Sequence, residues 1–296
     1  MKEYIEQHQE ETQRLLGLKY SQLQELITQA ERIHSQKKEN ESRNKPRLIK
    51  SGGGRQPKLC VKSQILLTLV YLHHVPTFQM LGVQFRVSES AANYIFHYWV
   101  GILRELLPAS LLEQVKKNEN EELWVKEILT EFQLIVDSYE QPRYRPTDYQ
   151  EQKKCYSGKK KSHTFKNQLI VTPNGQEIVD IVVGETGPTS DINIWRSQRE
   201  KLKESQRFQG DKAYTGEAAI STPHKKPKNQ VLADEKERKN REQAKRRVIV
   251  EHLIRLVKIF RVAGERFRLK SLNYEAVILA VCGLVRWRIG AIVFSN

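Results

Sequence analysis

Three cysteines are all this 296-residue sequence has, Cys60, Cys155 and Cys282, and they lie far apart. They offer neither a paired framework nor a zinc-ligand spacing, which fits a chain kept in a reducing cytosol. Long apolar runs are missing as well. The longest, Ala276 to Val285, is about half of the roughly 20 residues that a membrane-spanning helix needs. The opening Met1-Lys2-Glu3-Tyr4-Ile5-Glu6 is too polar for a secretory signal. Membrane spanning and secretion are therefore not expected. Acidic residues fall short of basic ones, 35 against 50, for a formal net charge of +15. Core-forming residues are not scarce. A hydrophobic fraction of 39%, with four Trp, nine Phe and eleven Tyr, excludes a mainly disordered chain. The length suits one large domain or two modest ones. The positive excess points to a polyanion partner, although a basic surface also serves solubility.

Helical spacing of Ile5, Leu15, Leu16, Leu18, Leu23, Leu26 and Ile27 predicts helix over the first 35 or so residues. From Gln36 to Pro57 apolar residues thin out while Lys37, Lys38, Arg43, Lys45, Arg47 and Lys50 lead into Gly52-Gly53-Gly54-Arg55. This reads as a basic connector, either a solvated linker or a strand that tracks phosphate.

Helix is expected again over Val61–Leu72 and, after Pro76, over Thr77–Phe85. Arg86-Val87 makes a turn, and Ser88 can cap a third helix running to about Leu106, with Glu89 suited to its positive end. Ala91, Ala92, Ile95, Phe96 and Trp99 share one stripe of that helix, leaving Ser90, Asn93, Tyr94 and His97 outward. Short helices, a tight turn and a third helix with small polar residues near its start outline a helix-turn-helix. Such a helix enters the major groove with short or hydrogen-bonding side chains leading, while its other face locks onto its neighbours. A plain three-helix packing unit would share the outline.

The character changes at Phe132, where Phe132, Leu134 and Val136 alternate with Gln133, Ile135 and Asp137. A basic stretch follows, and then Phe165–Val171 and Ile178–Val183 flank Thr172-Pro173-Asn174-Gly175, a hairpin signal. Asp191–Leu202 reads as helix, Arg207–Asp211 as a short strand, Glu235–Arg261 as a long helix and Tyr274–Arg288 as a buried one. That order predicts a mixed α/β sheet with helices on its faces.

A charge at the end of an apolar strand needs a cation, a metal or water. Asp137 stands at such a place, and so does Asp211 in Phe208-Gln209-Gly210-Asp211-Lys212-Ala213-Tyr214. If the two strands run parallel side by side, both carboxylates meet at one sheet edge. Oxygen ligands left open to water and substrate suit Mg²⁺ or Mn²⁺, and neither strand offers the Cys or His that zinc prefers. Glu251 lies on the long helix one turn after Arg247 and two turns before Lys258, all along one face. Two flanking cations keep an acid ionised and seat a phosphate, yet an ordinary surface ion pair reads the same. Two basic runs flank these acids. Gln152–Gln176 holds six lysines and no acid, and Lys225–Arg247 holds ten Lys and Arg against four Asp and Glu. Either run can be a solvated face or a grip on a phosphate backbone.

Four stretches together resemble a known family. They are Val136-Asp137-Ser138-Tyr139-Glu140-Gln141-Pro142 followed by Tyr156 to Thr164, Gly210 to Gly216, Asn240-Arg241 through Arg247, Glu251 and Lys258, and Gly54 to Leu59 with the helices after it. The chain resembles transposases of bacterial insertion sequences, of the DDE class with an RNase H-like core, in the group conventionally numbered five. The resemblance covers about residues 50 to 290. With the spacing and composition above, the expected division is a helical segment and basic linker over 1–57, a helix-turn-helix over 58–120, and a catalytic domain over 121–296. The resemblance implies that Asp137, Asp211 and Glu251 hold two divalent ions, Mg²⁺ or Mn²⁺. DNA would be cleaved at inverted-repeat ends and the 3′ hydroxyl joined to target DNA. Arg247, Lys258, Lys159, Lys160, Lys161, Arg55, Ser90, Asn93 and Tyr94 would contact DNA. A homo-oligomer on double-stranded DNA, acting at the nucleoid in the bacterial cytoplasm, is implied too. Some positions depart from the pattern. Ala244 stands where Tyr is usual, Tyr139 where Thr is usual, and Thr189-Ser190-Asp191 where Thr-His-Asp is common. Asp191 is expected to cap a helix rather than to catalyse. The competing readings are a non-catalytic DNA-binding protein (a decayed or domesticated relative, or a repressor) and a nuclease that cuts without joining.

Overall fold

The computed structural model describes residues 1–44, 57–116, 118–226 and 232–294. The chain divides into two compact units, Met1–Leu107 with Ile259–Val262, and Pro108–Lys258 with Ala263–Asn296. Among the described residues no helix is long and apolar enough to cross a membrane.

In the first unit the expected N-terminal helix is several. Helix α1 (Lys2–Gln7), a single 3₁₀ turn and α2 (Thr12–Leu16) stop at Gly17, whose left-handed φ of 80° caps α2. Helix α3 (Tyr20–Asn44) then runs nine residues into the stretch expected to be connector. Lys, Glu, Gln and Arg are good helix formers, so few apolar residues there do not end it. The spacing still names the packed side, because Ile5, Leu16, Leu18, Leu23, Leu26 and Ile27 are all buried.

Helices α4 (Val61–His74), α5 (Phe78–Phe85) and α6 (Glu89–Leu106) follow as expected. Thr77 caps α5 by accepting from the Met80 amide, and Ser88 caps α6 by accepting from the Ala91 amide. The turn between them is tight. A Cβ on Gly82 would stand 2.7 Å from the Val87 carbonyl oxygen, so only glycine lets the two helices approach this closely. Phe96 and Trp99 are fully buried, and Trp99 Nε1 donates to Gln64 Oε1 at 2.9 Å, pinning α6 to α4.

The second unit opens with α7 (Leu111–Val115) and α8 (Glu119–Leu129) and then builds a six-stranded mixed sheet. Strand β1 (Gln133–Pro142) pairs antiparallel with β3 (Ser162–Val171), which also pairs antiparallel with β4 (Ile178–Thr186) and the two-residue β2 (Tyr156–Ser157). On its other side β1 pairs in parallel with β5 (Arg207–Gln209), and β5 with β6 (Ile220–Ser221). Helices α9 (Tyr149–Cys155), α10 (Asp191–Arg199), α11 (Asp234–Ile259), α12 (Arg261–Gly264) and α13 (Tyr274–Ile289) complete the chain. The result is the RNase H-like mixed sheet flanked by helices, preceded by an all-helical region.

Leu134, Val136, Ile170, Val179, Trp195 and Phe208 belong to one buried cluster of the sheet unit. Arg286, with no exposed surface, ties α13 to the β3–β4 hairpin. Its guanidinium donates to both Glu177 oxygens, at 2.5 and 2.7 Å, and to the Pro108 and Ser110 carbonyls. Removing any one partner would leave a buried charge uncompensated, which is strongly destabilising.

Candidate functional site

Parallel pairing of β1 with β5 sets the acids. The ladder joins Gln133 to Arg207, Leu134 to Phe208 and Ile135 to Gln209, an offset of 74 residues. Asp137 and Asp211 share that offset two residues beyond the last ladder pair, near enough for the Asp211 charge to act on Asp137. Neither acid sits where the sequence pattern put it. Strand β1 continues past Asp137 to Pro142 through its pairing with β3, so Asp137 lies mid-strand. Strand β5 ends at Gln209, and Asp211 instead caps a 3₁₀ turn, its Oδ1 accepting from the Ala213 amide at 2.8 Å. Gly210 is required just before it, because a Cβ there would meet the Tyr214 ring at 2.7 Å.

Helix α11 is docked beside this edge by two amide side chains. Gln209 Nε2 donates to the Gln243 carbonyl at 2.7 Å, and Gln243 Nε2 donates to Ser221 Oγ at 2.7 Å. One turn on, Arg247 reaches both acids, 3.9 Å from Asp137 Oδ2 and 3.8 Å from Glu251 Oε1. Its Nε is buried and meets no hydrogen-bond partner among the described residues. Lys258 lies two turns past Glu251, its ammonium 4.8 Å over the Tyr139 ring. The three α11 residues named from the sequence thus share the side facing β1.

The electrostatics follow from burial. Asp137 is only 16% exposed. Desolvation pushes its carboxyl up to about 6, against the Ser138 amide and Arg247, which favour the charge, and with Asp211 and Glu251, which oppose it. The Ser138 amide donates to Asp137 Oδ1 at 2.8 Å. Tyr214, in the core beneath, is held protonated first by burial and then by the charges of Asp191, Asp137 and Asp211. The charges of all three carboxylates are thus felt at the Tyr214 hydroxyl. A desolvated carboxylate with a second acid in register suits a hard divalent cation, and every donor is an oxygen. The residues fit such an ion chemically, but the set is not closed. Glu251 is 59% exposed, and among the described residues no three Asp, Glu, His or Cys side chains are gathered tightly enough to hold a metal.

Sequence reasoning misplaced Asp191. The cap of α10 is Ser190, whose side chain accepts from the Asn193 amide. Asp191, in the first turn, accepts from Ser138 Oγ at 2.6 Å and pairs with Lys166 at 3.2 Å. Ser138 and Lys166 were missed altogether. The three residues come together from β1, β3 and α10, so no spacing within one element announces them. Lys159, Lys160 and Lys161 occupy the exposed turn between β2 and β3, where Lys161 takes a left-handed φ of 50°.

In the helical unit, Ser90 and Tyr94 are exposed and Asn93 is half-buried near the start of α6. The Tyr94 ring lies 6.4 Å from that of Tyr98 at 17°. Arg55 lies outside the described residues.

Comparison with known proteins agrees in both units. Residues 136–286 match the family model of the DDE superfamily endonuclease, and residues 57–109 match that of the helix-turn-helix of DDE superfamily endonuclease. A probable transposase for insertion sequence element IS702 from Microchaete diplosiphon is 29% identical over 243 residues, 80% of this chain and 83% of that protein. No solved structure gives a significant match.

Proposed function

The chain belongs to the DDE superfamily endonucleases, and on that premise we propose that it cleaves DNA at the inverted-repeat ends of an insertion sequence and joins the freed 3′ hydroxyl to target DNA. One observation carries this reading. The parallel β1–β5 ladder leads both strands toward one edge, where the Asp211 charge acts on Asp137, and Arg247 lies between Asp137 and Glu251 of α11.

Asp137, Asp211 and Glu251 would hold two Mg²⁺ or Mn²⁺ ions. When bound, these supply a water or hydroxyl made nucleophilic at neutral pH and a counter-charge for the leaving oxygen. The protein's own side chains orient the strand. Arg247 donates to a phosphate oxygen from the exposed part of its guanidinium. The Lys258 ammonium, steered by the Tyr139 face, meets the same backbone. Lys159, Lys160 and Lys161 hold the strand by displacing its counterions. In the helical unit Ser90, Asn93 and Tyr94 read base edges of double-stranded DNA, and Arg55 adds a phosphate contact. Residues 58–120 thus recognise ends and 121–296 perform phosphoryl transfer. Residues 1–57 lead into the first of these, and copies pair on DNA at the nucleoid of the bacterial cytoplasm.

Asp211→Asn tests this. With Mg²⁺, strand cleavage of an end duplex should vanish while binding of the same duplex survives, and undiminished cleavage would refute the assignment. A strand-transfer assay with pre-cut ends separates joining from cutting alone. The reading without chemistry draws on one fact, the open carboxylate set. Calorimetry finding no Mn²⁺ binding that depends on Asp137 would favour it.

A further inference from the structure

Just past Asp137, the sheet unit holds a pocket of about 230 Å³. Four lysines converge on it, Lys159 and Lys160 from the β2–β3 turn, Lys166 from β3 and Lys258 from the end of α11. They are held differently. Lys166 is 9% exposed, pairs with Asp191 and donates to the Thr189 carbonyl, while Asp191 also accepts from Ser138. Those bonds make one wall fixed and locally neutral. The ammonium groups of Lys159 and Lys160 have no such partner among the described residues. Glu140, the other acid of the lining, is already accepting from Thr164 Oγ1 at 2.7 Å. Lys258 binds its proton more weakly than usual, first because it is partly buried and then because Lys160 is near. A hollow lined by cations that repel one another lacks an anion.

We propose that this pocket seats a second backbone phosphate of the DNA strand, the neighbour of the one at Asp137 and Asp211. The inference rests on the DNA-cutting function proposed above. The lining is donor-rich and offers no free aromatic face, because Lys258 already covers that of Tyr139. A base would find nothing to stack on, whereas phosphate oxygens find several charged donors. The lining starts at Ser138, the residue after Asp137, and reaches Glu140, a span of about 7 Å of strand. A phosphate seated here would therefore neighbour one held at Asp137. Lys161 belongs to the same turn but not to the pocket, which makes it a built-in control.

The test uses end duplexes carrying one neutral methylphosphonate, moved position by position around the cut, with binding read by fluorescence anisotropy in EDTA. The wild-type protein should lose about tenfold in affinity when the phosphate next to the scissile one is neutralised. The double variant Lys159→Ala/Lys160→Ala should bind more weakly overall yet be indifferent to that one replacement. Lys161→Ala should weaken binding slightly everywhere and keep the positional loss. If the double variant keeps the same positional loss as the wild type, the lysines form only a diffuse field and the pocket assignment fails. Inorganic phosphate titrated calorimetrically distinguishes a free-anion site. Saturable binding that duplex cannot displace would overturn the strand assignment. Should Mn²⁺ support no cleavage by the wild type while the positional pattern holds, the cutting function falls and the phosphate seat stands.

Discussion

On α6 of the helical unit, the side that meets solvent and the side that holds the fold are separate. Ser90 and Tyr94 are exposed, while Ala92, Phe96 and Trp99 have no exposed surface. The sheet unit keeps no such separation. Asp137 is mostly buried in β1, wedged between the core residue Val136 and Ser138, and its charge is opposed by burial. In one unit a ligand-facing residue can change without touching stability. In the other, a group placed for chemistry weakens the fold that carries it.

Four tests sharpen or break that contrast. The largest effect is expected from Trp99→Ala, which empties a fully buried site and leaves Gln64 without its donor. It should cost about 3–5 kcal/mol in urea unfolding, and DNA binding should fail only as far as folding fails. Next comes Asp137→Asn. The native carboxyl is pushed up to about 6, above its unfolded value of about 3.9. Its protonated form therefore favours the fold, an advantage complete below about pH 4 and lost as pH rises through 6. The asparagine variant should be more stable than the wild type at pH 7.5 by about 2–3 kcal/mol, the gap closing at pH 4, while cleavage disappears. A variant less stable at pH 7.5 would break the contrast. Third, Tyr94→Ala and Asn93→Ala should each lower affinity for end DNA by about 1–3 kcal/mol with the thermal midpoint unmoved. The smallest effect belongs to Tyr139→Phe. The Tyr139 hydroxyl is buried without a hydrogen-bond partner among the described residues, so its loss should raise stability by about 1 kcal/mol. Strand binding should persist, since the ring under Lys258 remains, whereas Tyr139→Leu should weaken it.

What could be read from the sequence was whatever depends on neighbours a few residues away. Ser88 caps its helix, and the Pro173-Asn174-Gly175 turn joins two apolar strands. The alternation into Asp137 and the repeat at Asp211 also exposed two acids whose meeting needed only one parallel pairing. Short elements in charged sequence escaped. Helix α9 begins at an Asp148 cap, whose side chain accepts from the Glu151 amide, inside a stretch that reads merely as basic. Strands β2 and β6 are two residues each and hold their shape only through their neighbours. The break at Gly17 was hidden because apolar spacing continues across it. Ser138, Lys166 and Asp191 were illegible for a different reason. They bond across 53 residues of chain between Ser138 and Asp191, and only the assembled sheet brings them together.

Because β1 and β5 carry Asp137 and Asp211 to one edge through three parallel pairs, the acids do not depend on the exact length of the outlying loops between them. Insertions or deletions in the β3–β4 turn or the loop after α10 would leave the two acids near each other and the lysines of the β2–β3 turn in place. A single-residue indel inside 133–137 or 207–211 would turn one of them to the opposite side of the sheet. Drift among descendants of this gene should therefore accumulate as length variation in the loops and almost never as a frame change within those two five-residue windows.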